Sequence, residues 1–181
     1  MTEGTARIFV LCGEAGTGKT TLCLQTAALL QKGYVRVAGI VSPARFEGER
    51  KTGIFVQDIR SGERCLLAVP GNENGLGWRF DPDALQWGSD VLRASAPCDV
   101  LVIDELGPLE VKHGKGWMVA WNLLKSRPGP AALVVVRLSL LDLFREHLRR
   151  QDVEVIPVTP SSPSPETVSK AIFAAIRGTK R

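Results

Sequence analysis

The stretch Gly13-Glu14-Ala15-Gly16-Thr17-Gly18-Lys19-Thr20 decides the fold. It matches G-x-x-x-x-G-K-[ST], the Walker A phosphate-binding loop. Roughly one shuffled chain of this composition in a hundred would carry that pattern, so its flanks have to support it. They do. Residues 7–12 before it are a near-continuous apolar run of strand length, as expected of a strand covered on both faces. Residues 19–31 after it place Leu22, Thr26, Leu29 and Leu30 near one helical face, with Gly33 as a stop. Glycines in such a loop let backbone N–H groups turn inward around an anion without Cβ clashes. The start of the following helix adds partial positive charge. Gly13, Glu14, Ala15, Gly16, Thr17, Gly18, Lys19, Thr20 and Thr21 are therefore expected to line a phosphate site. Lys19 would reach the β- and γ-phosphates, and the Thr20 hydroxyl would bind Mg²⁺.

Outward from the loop, strand-like runs recur at 35–41, 100–103, 132–136 and 153–158. Helical patterns lie between them. Asp81-Pro82-Asp83 opens a helix reaching 94, with Pro at its first position. Residues 116–125 and 140–150 read as two more, and Ser164-Pro165-Glu166 opens the last. Strands alternating with helices argue for a three-layer α/β fold with a mostly parallel sheet. Residues 52–59 and 64–69 flank the turn Arg60-Ser61-Gly62-Glu63 and read as an antiparallel hairpin inserted after the second strand. Without a repeat or an interdomain linker, residues 1–181 are expected to form one domain.

Val100-Leu101-Val102-Ile103-Asp104-Glu105 is an apolar strand ending in two carboxylates, the Walker B arrangement. A strand parallel to the first brings Asp104 to the sheet edge that carries the phosphate loop. This strand is expected close to the first one and away from the outer edge of the second. Asp104 would then hold Mg²⁺ facing Thr20, and Glu105 would orient or deprotonate an attacking water. A salt-bridged role is the alternative for Glu105, and Glu110 is the rival base. Arg45 lies in a charged segment with Glu47, Glu49, Arg50 and Lys51. Such a loop would close over a triphosphate, with Arg45 or Arg50 neutralising transition-state charge; a solvated surface loop is the alternative. Arg137 ends the 132–136 run, within reach of a γ-phosphate or Glu110. Trp117 and Trp121 share a helical face at i, i+4 and read as core. Trp78 follows Gly75-Leu76-Gly77, a flexible approach, and a place in a rim is the minor reading for it.

Residues 13–21 (GEAGTGKTT), 39–53 (GIVSPARFEGERKTG), the Ser61-Gly62-Glu63-Arg64 hairpin and 103–110 (IDELGPLE) together resemble the small P-loop nucleoside-triphosphatase family, thermophile-type and cancer-related. The resemblance covers nearly the whole chain. It implies a RecA-like sheet and slow, Mg²⁺-dependent hydrolysis of ATP, GTP and other nucleoside triphosphates. The chain departs from the family pattern at Pro43-Ala44, where the family often has an acidic pair before the arginine matching Arg45, and in residues 111–117.

Composition bounds the rest. Of 181 residues, 44% are hydrophobic and 23% charged, which excludes a disordered chain. No apolar run approaches the roughly 20 residues that span a bilayer. The N-terminal Met1-Thr2-Glu3-Gly4-Thr5 lacks the basic start and long apolar centre of a signal peptide, so a cytoplasmic protein without membrane contact is expected. The net charge of +4 is spread along the chain, apart from a cluster at Arg145, Arg149 and Arg150, which argues against nucleic acid. Cys12, Cys23, Cys65 and Cys98 form no C-x-x-C pair and read as buried hydrophobes. The competing functions are a nucleotide or nucleoside kinase, and a nucleotide-controlled binding module whose protein partner the residues do not name. No arginine-bearing lid signature favours the kinase.

Overall fold

The computed structural model describes residues 7–72, 75–126, 129, 131–161 and 163–178. Strand β1 (Arg7–Gly13) buries every residue after Arg7, because helices cover the sheet on both faces. Alternate side chains feed two cores. Ile8, Val10 and Cys12 join one cluster; Phe9 and Leu11 join the other. Helices α1 (Lys19–Lys32) and α6 (Pro165–Gly178) bring Leu22, Leu30 and Ile172 to the second cluster. Helices α2 (Pro82–Arg93), α4 (Val119–Ser126) and α5 (Leu141–Leu148) bring Leu92, Leu124 and Phe144 to the first. Each such side chain contributes roughly 1.5–3 kcal/mol on burial, so the sheet is held from both sides. Asp81 caps α2 by accepting from the N–H groups of Asp83 and Ala84, with Pro82 in the first turn as predicted.

The remaining strands are β2 (Val37–Val41), β3 (Ala44–Glu47), β4 (Arg50–Asp58), β5 (Arg64–Pro70), β6 (Trp78–Phe80), β7 (Val100–Leu106), β8 (Ala131–Arg137) and β9 (Val153–Pro157). The sheet order is β6-β5-β4-β2-β7-β8-β1-β9, with β3 paired to β4. The parallel part is β2-β7-β8-β1-β9, and β4, β5 and β6 extend it as antiparallel strands. This is the mostly parallel α/β sheet with an antiparallel insertion that the sequence predicts.

Several particulars differ. The acidic strand β7 pairs with β2 on one side and β8 on the other, so β8 separates it from β1. Strands β1, β7 and β8 are all near-continuous apolar runs, so hydrophobic pattern alone does not rank neighbours. Residues 44–51, read as a loop, form β3 and the start of β4, closed at Gly48. Their side chains are largely exposed, so no apolar stripe announces a strand. Trp78 lies in β6, which zips onto the end of β5. A one-turn helix α3 (Pro108–Val111) follows β7, and α4 starts at Val119 rather than at 116. The 140–150 pattern resolves into a tight turn Leu138–Leu140 and α5, ended by Arg149 at φ 51°. Among the described residues no helix is long and apolar enough to cross a membrane.

Gly39, in the middle of β2, has φ +120°, and a Cβ there would lie 1.9 Å from the Val102 carbonyl oxygen of β7. Only glycine lets these two strands meet. Gly39→Ala should therefore cost more than about 4 kcal/mol or abolish folding. Gly62→Ala, in an open turn at φ +76°, should cost only about 1–2 kcal/mol. Urea unfolding midpoints of the two variants check the contrast.

Candidate active site

The phosphate loop leaves the C-terminal end of β1. A Cβ at Gly13 would lie 2.4 Å from the Val158 carbonyl and 2.9 Å from Thr17 Oγ1, so the loop packs directly on its neighbour there. Gly18 caps α1 in the left-handed region at φ 86°. The Glu14 carbonyl draws the loop together: it accepts from Thr17 Oγ1 at 2.9 Å and from Lys19 Nζ at 2.5 Å. Lys19 is buried, whereas Glu14, Ala15, Gly16, Gly18 and Thr21 are exposed at the mouth. A buried ammonium satisfied by a carbonyl is ready to exchange it for a phosphate oxygen, a charged acceptor and a stronger one.

Asp104 is fully buried. Thr20 Oγ1 donates to its Oδ1 at 3.2 Å, and the Ser42 N–H donates to its Oδ2 at 3.1 Å. Ser42 Oγ donates to the Asp104 carbonyl at 2.5 Å. Burial pushes the Asp104 carboxyl up to about 6, against the pull of the Ser42 N–H, the Thr20 hydroxyl and Lys19. Sequence reasoning missed Ser42; its signal was a hydroxyl directly after the apolar run of β2.

Strand β7 runs on past Asp104 to Leu106, and its register with β8 shifts between Ile103 and Leu106. There Glu105 Oε1 accepts from Arg137 Nε at 2.5 Å, with both side chains partly exposed. Arg137 thus meets Glu105, not Glu110. Glu110 is buried, and both its oxygens are occupied: Oε2 accepts from the Gly107 N–H and Oε1 from the Trp117 N–H, each at 3.1 Å. Burial raises its carboxyl to about 7, opposed by those N–H donors. Glu110 therefore ties the loop after β7 together. The Trp117 ring is buried against Gly88 of α2, where a Cβ would come within 2.7 Å of Nε1. Trp121 is core as well, stacked 5.3 Å from His147.

The charged segment folds as the β3–β4 hairpin. Arg45 Nη2 pairs with Glu47 at 2.8 Å on the exposed face of β3. Lys51, not singled out from the sequence, places Nζ 4.9 Å from the Trp78 ring centroid. Its only signal was one more positive charge in a charged run.

A family model described as NTPase matches residues 8–164. The chain belongs to this NTPase family. The archaeal relative "Nucleoside-triphosphatase THEP1" of Methanopyrus kandleri is 37% identical over 106 residues, 57% of this chain and 59% of that relative's length. The protein of the same name from Thermofilum pendens is 33% identical over 162 residues, covering 85% of this chain and 87% of the relative. Among solved structures, a human cancer-related nucleoside triphosphatase aligns at TM-score 0.72 and 27% identity, over 97% of this chain and all of that one. THEP1 from Aquifex aeolicus shares the fold at TM-score 0.67 and 18% identity, over 93% and 98% of the chains. This NTPase-family chain carries the mostly parallel P-loop fold of both structures.

Glu110 has a consequence for pH. Its folded value of about 7 lies above its ordinary 4.5, so folding takes up a proton between them. The stabilisation is complete below 4.5 and is lost as pH rises through 7. Wild type should lose up to about 3 kcal/mol from this group between pH 4 and 8. Glu110→Gln should remove that slope, although it leaves one N–H poorly paired at every pH. Urea unfolding at several pH values, compared between the two proteins, reads the difference.

Proposed function

We propose that this chain hydrolyses nucleoside triphosphates, ATP and GTP among them, to the diphosphate and phosphate, slowly and with little dependence on the base. One observation carries the reading: Thr20 of the phosphate loop and the buried Asp104 of β7 meet at 3.2 Å, with Glu105 one residue further on. The names of the relatives specify a nucleoside triphosphate and no particular base, which supports the breadth. In this reading residues 1–181 act as one domain. Four unpaired cysteines suit the reducing cytoplasm.

The phosphate loop from Gly13 to Thr21 binds the triphosphate through its N–H groups, and Lys19 exchanges the Glu14 carbonyl for a phosphate oxygen. Thr20 and Asp104 present hard oxygen donors, the kind that Mg²⁺ takes. When bound, Mg²⁺ neutralises phosphate charge. Arg137 holds Glu105 Oε1, which leaves Oε2 to orient a water and take its proton. The water oxygen then bonds to the γ-phosphorus, and the bond to the bridging oxygen breaks with its electron pair on the diphosphate. Arg45 contributes only by leaving Glu47.

Glu105→Gln should retain Mg²⁺–nucleotide binding and lose about 10²- to 10⁴-fold in single-turnover phosphate release, while Glu110→Gln keeps its rate within about tenfold. A dead Glu110→Gln beside an active Glu105→Gln would reassign the base. Lys19→Ala should weaken binding and turnover together. Phosphate transfer to a nucleoside or nucleotide acceptor in place of release would overturn the hydrolase reading in favour of a kinase.

A further inference from the structure

The hairpin β3–β4 springs from the active site itself. Ser42, whose N–H holds Asp104, lies two residues before Ala44, the first residue of β3. Strand β4 pairs with β2 only at Ile40 and Val41, so its N-terminal half overhangs the sheet edge that carries the phosphate loop. Lys51 pairs with Phe46 in that overhang, about 13 Å beyond Ser42 at roughly 3.3 Å per residue. A lysine stem of about 6 Å can span part of that distance.

Two observations bear on the position of the Lys51 head. Its Nζ rests over the Trp78 ring at 4.9 Å, and Trp78 is fixed in β6, where it pairs with Pro70 of β5. Burial lowers its pKa, and the charges that act on it are Glu105, Arg137 and Asp104, all members of the site. Its hairpin neighbour Arg45 is by contrast turned onto Glu47. Lys51 is thus an ammonium on the hairpin that overhangs the phosphate-loop edge, seated on an aromatic face and within electrostatic reach of Glu105 and Asp104. A cation–π contact is weaker than a charge-assisted bond to phosphate, so a bound triphosphate draws the ammonium away from the ring.

We propose that Lys51 is a catalytic residue: its ammonium leaves Trp78, contacts the terminal phosphate of the bound nucleotide and neutralises the charge that grows there during transfer. The proposal rests on the hydrolase reading above and names the residue by which the hairpin serves it. Trp78 is the resting seat that keeps Lys51 near the site between turnovers.

Lys51→Met keeps the stem on Trp78 and removes the charge; Lys51→Arg keeps the charge. Single-turnover release from Mg²⁺–ATP should fall about 10²-fold or more in Lys51→Met and stay within about tenfold of wild type in Lys51→Arg, with ADP affinity unchanged in both. Tryptophan emission of the wild type should change on binding a nonhydrolysable ATP analogue and not on binding ADP. That change should vanish in Lys51→Met and in Trp78→Phe. Wild-type turnover in Lys51→Met overturns the proposal. So does an equal loss of ADP and ATP-analogue affinity in both Lys51 variants, which marks a structural wall. Should Lys51→Met fail to fold, Lys51→Arg turnover and the wild-type emission response decide. A wild type that releases no phosphate from any triphosphate sinks the hydrolase reading; an active wild type with an equally active Lys51→Met sinks only the role of Lys51.

Discussion

A carboxylate taken wholly out of water must be matched by donors, or it costs several kcal/mol. Asp104 is that carboxylate, and the structure around it is the answer to that requirement. What stabilises it comes from separate parts of the chain: donation by the Thr20 hydroxyl from the first turn of α1 and by the Ser42 N–H just past β2, and the field of Lys19, which opens α1. None is near Asp104 in sequence. Each arrives because a parallel strand ends at the same sheet edge. The buried cores on both sheet faces hold those strand ends in place.

The same edge separates two glutamates by environment. Glu105 is partly exposed, shares an ion pair with Arg137 from β8 and keeps an oxygen for solvent. Glu110 is enclosed, and each oxygen accepts a backbone N–H. Placing β8 between β1 and β7 is what brings Arg137 to Glu105. A direct β1–β7 pairing would have left that place to the phosphate loop. The acidic strand needs its extra neighbour for the charge that neighbour carries as much as for its apolar face.

The hairpin adds Arg45, Arg50 and Lys51 beyond the sheet edge that already carries Lys19 and Arg137. Its outer half has few buried side chains, so its placement rests on the ladders of β4 with β2 and β5, on Val56 in the core and on contacts such as Lys51 on Trp78. Elements held by so few apolar contacts lie at the low-stability end of a structure, where ligand-responsive parts are found.

The sequence by itself determined the phosphate loop, the acidic strand end and the α/β class. Those signals are local: a glycine spacing that only a tight loop tolerates, a continuous apolar run that only a doubly covered strand carries, and a Pro at a helix start. It also marked Thr20, Asp104, Glu105 and Arg137 as charged or hydroxyl groups at element ends. It did not determine who meets whom. Strand order, the pairing of Arg137 with Glu105 and the enclosure of Glu110 depend on registers between segments tens of residues apart, and β1, β7 and β8 share one hydrophobic pattern. The turning of Arg45 onto Glu47 and of Lys51 onto Trp78 was hidden for a different reason. An exposed hairpin carries no apolar periodicity to read, and which of several adjacent cations faces the site depends on the strand's twist and bulge, which only the folded chain defines.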